Sequence, residues 1–188
     1  MIVALAGRRI DAEDAAVPRF PLERRSYVRK RIRTQLELLE ASALISSAAC
    51  GADLLAQDVA RTLGLRRHIV LPFSRERFRA TSVVDRPGRW GHLFDTICDQ
   101  MAREGGLTVL SSDPGEEAAY KHANQEILAQ TLRLAQAQAP GEFLAGQAVA
   151  LLVWDGVSRG PEDLTAALGA SARAQGLRVV EVLTLRPR

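Results

Sequence analysis

The sequence predicts a three-layer α/β fold: a mostly parallel, doubly wound sheet of about six strands with helices on both faces. Three observations carry this expectation. Six short apolar runs alternate along the chain with amphipathic helical patterns. Most of the runs are continuous rather than alternating in polarity, as in strands covered on both faces. Strand–helix–strand repetition implies right-handed crossovers, which lay successive strands parallel.

In chain order, strands are expected at residues 2–6, 43–46, 68–71, 107–110, 148–153 and 178–183, the third being stopped by Pro72. The first helix follows from Val28, Ile32, Leu36 and Leu39, which form one stripe at three- and four-residue spacing. Leu55, Val59 and Leu63 mark the second, which Gly64 ends. Trp90, Leu93, Phe94, Ile97 and Met101 fit the helical template closely and give a third. An alanine- and leucine-rich stretch at 116–137 is the longest helix. The last is expected over 161–175, opening with Pro161 and stopping before Gly176. Loops fall at 11–21, 81–88 and 111–115. None is long enough to link two domains, so residues 1–188 are expected to form a single Rossmann-like domain.

Composition narrows the class. A chain of 188 residues, 47% hydrophobic and 25% charged, is too apolar for a disordered protein. At this size about 70% of the unfolded chain's surface is buried on folding, so neither disulfide nor metal is required. Cys50 and Cys98 define no disulfide framework and no zinc spacing, and His68, His92 and His122 are scattered singly; no metal is expected. No run of 18 apolar residues is present, which argues against a membrane span. Residues 1–6 followed by Gly7-Arg8-Arg9 lack the length and order of a secretory signal, so a cytoplasmic location is expected. The net charge is only +3, but residues 1–94 hold 17 Arg and Lys against 10 Asp and Glu, whereas residues 95–188 hold 8 against 12. The first half can therefore attract phosphate through its local field.

In an open parallel sheet, ligands bind beyond the carboxyl ends of the strands. Four loops follow strands and carry suitable residues. Gly7, Arg8 and Arg9 follow the first, with a glycine that permits close backbone approach and arginines able to clamp phosphate. Ser46, Ser47, Ala48, Ala49, Cys50, Gly51, Ala52 and Asp53 lead from the second strand into a helix. Their small side chains expose backbone N–H groups where the helix dipole favours an anion. This is the strongest single pattern in the chain, although it is neither a Walker loop nor the dinucleotide fingerprint. Asp53 suits a ribose hydroxyl, or it merely stabilises the first helical turn. Cys50 occupies a place that can lower a thiol pKa, or it simply fills a turn. Pro72 and Phe73 follow the third strand, with Phe73 able to stack on a base but better suited to the core. Trp154, Asp155 and Gly156 follow the fifth, and Gly160 with Pro161 opens a further helix. Tyr120 and Asn124 lie one turn apart on the long helix, beside Ile127. Arg24, Arg25, Arg29, Lys30, Arg31 and Arg33 form a basic run that suits nucleic acid, but Arg25, Arg29 and Arg33 also fall on the face opposite the apolar stripe, as a solvated helix requires.

At these loops the sequence resembles the SMF/DprA–LOG (SLOG) superfamily of Rossmann-like nucleotide-binding proteins, in its uncharacterised and sensor-type branch. The matching stretches are Gly7-Arg8-Arg9, residues 46–53, Leu71-Pro72-Phe73, Tyr120 with Asn124, and Val153-Trp154-Asp155-Gly156, in order over nearly the whole chain. Arg8 stands where that family has His, Ala48, Ala49 and Cys50 interrupt the glycine-rich loop, and residues 160–165 replace its Gly-Gly-Thr turn. The glutamate-bearing motif of the cytokinin-activating phosphoribohydrolases is absent. The resemblance implies a pocket for a nucleotide or nucleotide-derived, ADP-ribose-like ligand. Arg8 and the amides of 46–52 would hold phosphate, Asp53 and Asp155 ribose hydroxyls, and Tyr120, Asn124 and Trp154 would close around the base. One alternative is an N-glycosidic-bond hydrolase acting on a nucleotide, for which Asp53 and Asp155 are the catalytic candidates. The other is a nucleic-acid-binding module, supported only by the basic helix. The sequence is compatible with a homo-oligomer and does not specify one.

Overall fold

Each apolar run forms a strand and each amphipathic stretch a helix. In this computed structural model, which describes residues 1–110, 116–138 and 146–185, the elements run β1 (Ile2–Gly7), α1 (Arg25–Leu38), β2 (Ala43–Ser46), α2 (Ala52–Thr62), β3 (Arg66–Leu71), α3 (Arg75–Ser82), α4 (Trp90–Arg103), β4 (Leu107–Val109), α5 (Glu116–Gln138), β5 (Ala148–Trp154), α6 (Leu164–Ala174) and β6 (Arg178–Leu183). The loop expected at 111–115 lies outside the described residues. A short 3-10 turn, Leu22–Arg24, leads into α1.

The six strands form one sheet in the order β4-β3-β2-β1-β5-β6, every neighbouring pair parallel. Side chains alternate between faces along a strand. Val3 and Leu5 pack with Val28, Ile32, Leu54, Phe78 and Phe94 under α1 to α4. Ile2 and Ala4 pack with Ile127, Leu128 and Leu168 under α5 and α6. Both faces are covered, which is why β1 reads as an unbroken apolar run. From β1 to β4 each crossover steps the same way and uses the first face. Helix α5 then carries the chain back past β1 to β5 on the second face. The winding thus reverses between β1 and β5, and a doubly wound sheet opens its ligand crevice at such a reversal.

Several ends shift by one residue, and three larger differences have local reasons. β3 starts at Arg66, two residues early, because pairing with β2 extends to Ala43↔Arg66. α3 runs to Ser82, capped by the Ser74 hydroxyl accepting the Arg77 N–H, so the loop expected from 81 begins later. α6 starts at Leu164, not at Pro161. Asp163 is its N-cap, its carboxylate accepting the Thr165 and Ala166 N–H groups, and Pro161 belongs to the preceding turn.

Two glycines set how closely the loops approach. A Cβ on Gly7 would lie 2.3 Å from the Ala52 Cβ and 2.7 Å from the Val153 carbonyl oxygen. Gly51, at φ +103°, would place a Cβ 2.8 Å from the Arg8 carbonyl oxygen. With no side chains there, residues 8–10 lie against residues 50–52. The Ala52 N–H donates to Arg8 O at 3.1 Å and the Ile10 N–H to Cys50 O at 3.4 Å. Gly7→Ala is therefore expected to destabilise the fold by about 3 kcal/mol, since the clash is with the Ala52 Cβ and the Val153 carbonyl, neither of which a rotamer change can move. Gly64→Ala, which has open space around it, is expected to cost only about 1 kcal/mol from its positive φ. Urea unfolding followed by circular dichroism compares the two, and equal costs would contradict the close-approach account.

Candidate functional site

The crevice at the winding reversal is a cleft of about 550 Å³, within the range of small-molecule sites. One wall is α5, through Tyr120, Asn124 and Ile127. The end of α3, which meets α5 there, contributes Phe78, Thr81 and Ser82. Residues 7–12 and Ser47, Ala49 and Asp53 come from the strand ends, and Leu164 and Thr165 from the start of α6. Tyr120 and Asn124 are fixed there by their neighbours. The Tyr120 hydroxyl is 2.7 Å from the Ser82 hydroxyl, and Asn124 Nδ2 donates to Leu164 O at 2.8 Å.

Asp53 is the unusual group in this cleft. It is only 7% exposed. Its Oδ2 accepts the Ala49 N–H at 3.2 Å, and its Oδ1 has no hydrogen-bond partner among the described residues. Burial pushes its carboxyl up to about 7, against the partial offset of the Ala49 amide and the distant charge of Arg9. The Ser47 hydroxyl and Arg9 Nε, in residues that also line the cleft, are likewise buried without hydrogen-bond partners among the described residues, whereas Arg86 Nε makes no hydrogen bond but lies in ion-pair range of Asp85. Such atoms are costly to bury unless something fills the valence.

The arginines of the cleft are largely spoken for. Arg8, 4% exposed, donates from Nε to Asp155 at 2.8 Å, from Nη1 to Asp163 at 2.7 Å and from Nη2 to the Val157 carbonyl at 2.7 Å. Burial works against its charge, but the two aspartates outweigh it and hold its pKa up. Asp163 is correspondingly drawn down to about 2: its own burial is overcome by Arg8 and by the Arg159 and Ala166 amides. Arg19 pairs with the other oxygen of Asp155 at 2.6 Å. Arg9 bonds Asp85 and, at 3.0 Å, the Thr81 carbonyl, while Arg86 lies 3.4 Å from the same Asp85. Arg159 is more loosely held: its side chain is half exposed and, among the described residues, its one ion pair, with Asp163, spans 3.7 Å.

The loops at 7–9, 46–53 and 154–163 thus converge, but several residues singled out in the sequence play other parts. Gly7, Arg8, Arg9, Ser47, Ala49, Asp53, Tyr120 and Asn124 line the cleft; Ser46, Ala48, Cys50, Gly51, Ala52, Pro72, Phe73, Trp154, Asp155, Gly156 and Gly160 do not. Arg8 is bound up in two ion pairs rather than free to clamp phosphate. The amides of Ala49, Cys50 and Ala52 donate to Asp53, Ser82 O and Arg8 O, so these three amides are taken by the chain itself. Cys50 is fully buried, and desolvation raises its thiol pKa against the opposing effect of Arg9, the reverse of activation. Phe73 belongs to the core, its ring 5.5 Å from Tyr120 and 6.0 Å from Phe78. Trp154 lies 5.6 Å under the Arg8 guanidinium. Asp155 is committed to Arg8 and Arg19. On the basic helix, Arg29 pairs with Asp58 at 2.9 Å and Arg33 with Glu37 at 2.9 Å. Sequence reasoning missed Asp163, which an N-cap reading of Asp163-Leu164-Thr165 would have found. It also missed Arg19, Ser82 and Arg86, which no local pattern marks.

Among the described residues, no three His, Cys, Asp or Glu side chains stand together to hold a metal ion, and no helix is long and apolar enough to cross a membrane. No protein-family model matches the chain, and no curated protein matches it either.

The raised Asp53 pKa has a definite consequence for stability. Because the folded value lies above the unfolded value near 3.8, the proton on Asp53 favours the folded state. That contribution is complete below the unfolded value, declines as pH climbs through about 7, and is gone above it. Asp53→Asn keeps an acceptor for the Ala49 N–H and carries no charge. It is expected to remove this decline and to stabilise the protein on the alkaline side of neutrality by about 2–4 kcal/mol. Urea midpoints measured across the pH range for both proteins check this.

Proposed function

We propose that the cleft binds a nucleotide or nucleotide-derived, ADP-ribose-like ligand, as a Rossmann-like domain of the kind the SLOG resemblance implies. The observation that carries this reading is the buried, unpartnered Asp53 oxygen at the strand ends where the winding reverses. A ribose hydroxyl donating to that oxygen supplies the missing partner. Tyr120 and Ile127 offer an apolar wall for a base. Arg159, the cleft arginine with the weakest protein contact, is free to meet phosphate, the role that Arg8 and the α2 amides were first expected to fill.

Calorimetric titration with nucleoside mono- and diphosphates and ADP-ribose tests the reading. At least one is expected to bind, more tightly as pH rises through about 7, because the ionised Asp53 accepts the hydroxyl more strongly. Asp53→Asn and Arg159→Gln are each expected to weaken binding about tenfold. No binding by any of these ligands to folded protein sinks the proposal.

Asp53 also favours a second reading, hydrolysis of the N-glycosidic bond. A carboxyl poised near neutrality is suited to general acid–base work, and the other candidate, Asp155, is occupied by two arginines. Release of free base from a bound nucleotide, abolished in Asp53→Asn, distinguishes this reading from binding alone.

A further inference from the structure

A second hollow, of about 290 Å³, lies at the opposite edge of the sheet, where β3 begins and α2 and α4 end. Its lining includes Arg61, Arg66, Arg67, Gln100 and Glu104. Strand alternation puts Arg67 on the same face as Ile69 and Leu71, under α2 and α4. Its side chain is only 3% exposed, and its Nη1 is buried without a hydrogen-bond partner among the described residues. The nearest carboxylate oxygen, on Glu104, is 4.0 Å from Nη2, beyond hydrogen-bond reach. Glu104 is itself half exposed and takes a hydrogen bond from Gln100 Nε2 at 2.7 Å. Arg8, buried to the same degree, has two carboxylates within 2.8 Å. A buried guanidinium with no such partner is an uncompensated charge.

At the rim, Arg61 is held by Asp58 at 2.8 Å, and Arg66 is exposed with no ion pair among the described residues. The negative ends of the α2 and α4 dipoles favour a cation here, yet no carbonyl of either helix takes the Nη1 hydrogens. A single small anion would satisfy Arg67. The further guanidinium of Arg66 offsets the helix ends and Glu104, which oppose an anion, and the size of the hollow suits a group as large as phosphate.

We infer that this hollow is a second anion site, taking a compact dianion of phosphate chemistry, with Arg67 as its buried anchor and Arg66 at its rim. The planar guanidinium fork matches phosphate oxygens, and the hollow admits either inorganic phosphate or the phosphoryl group of a small monoester. Glu104 competes with such a ligand for Arg67. The site is independent of the cleft, from which the sheet separates it.

Thermal unfolding of the full chain tests this, with inorganic phosphate or glycerol phosphate added at constant ionic strength and chloride as control. Both phosphate and the monoester count for the site; the one with the larger shift identifies its occupant. The wild-type Tm is expected to rise with phosphate and not with chloride. Arg67→Met is expected to abolish the rise while leaving the Tm in phosphate-free buffer unchanged or higher. Glu104→Gln is expected to tighten the apparent phosphate affinity about threefold to tenfold. Four results would each overturn the inference. They are no phosphate-specific shift in the wild type, a shift that survives Arg67→Met, a lower Tm for Arg67→Met without phosphate, and an unchanged affinity in Glu104→Gln. The second would place the phosphate in the cleft, and the third would make Arg67 a structural cation of the helix ends.

Discussion

Two stretches of main chain, residues 8–10 and 50–52, lie against each other at the carboxyl edge of the sheet, and the rest of the site is built on that contact. It exists because Gly7 and Gly51 have no side chains to hold the backbones apart. The contact delivers the Arg8 carbonyl to the Ala52 N–H, and Ser82 supplies another carbonyl to the Cys50 N–H. These two amides at the start of α2 are thereby taken up from within, so the helix start that reads as an anion cradle is in good part a joint between loops. Asp53, one residue further along, is carried into the interior beside the cleft, where a single amide meets its carboxylate.

The charged groups around this joint show how burial alone decides nothing. Arg8 and Asp53 are buried to nearly the same extent. Arg8 has two carboxylates in contact, so its charge is held and Asp163 is drawn toward the ionised form. Asp53 has no guanidinium in contact, so desolvation prevails and its proton is retained to near neutrality. Two aspartates in one neighbourhood are thus pushed in opposite directions, an arrangement that sites use to assign different roles to like groups. The same pairing makes the cleft less electropositive than its arginine content suggests, because Asp85, Asp155 and Asp163 each neutralise a guanidinium.

Strand and helix order was legible because burial on both faces of a parallel sheet writes itself into continuous apolar runs, and one-sided helices into stripes. Residues 2–5 and 148–153 are apolar for that reason and were read correctly as strands. Pro161 suits a helix start, but Asp163, whose carboxylate reaches the amides of the first turn, sets the boundary, and that capping signal is local to the sequence. The convergence of 7–9, 46–53 and 120–124 was also foreseeable, since the doubly wound topology gathers strand ends along one edge.

Side-chain partnership was not foreseeable. Arg8 finds its aspartates 147 and 155 residues away, and nothing near Gly7 in the chain announces them. Arg67 reads as one of two adjacent strand arginines, and only packing under α2 and α4 separates its buried guanidinium from the exposed one at 66. The sequence by itself determined the fold class, the positions of the strands and the edge on which the strand-end loops gather, because these follow from hydrophobic periodicity and from the handedness of crossovers. Only the tertiary structure decided which charges are paired and which are stranded, because Coulomb energy and desolvation depend on distances across the fold that periodicity does not encode.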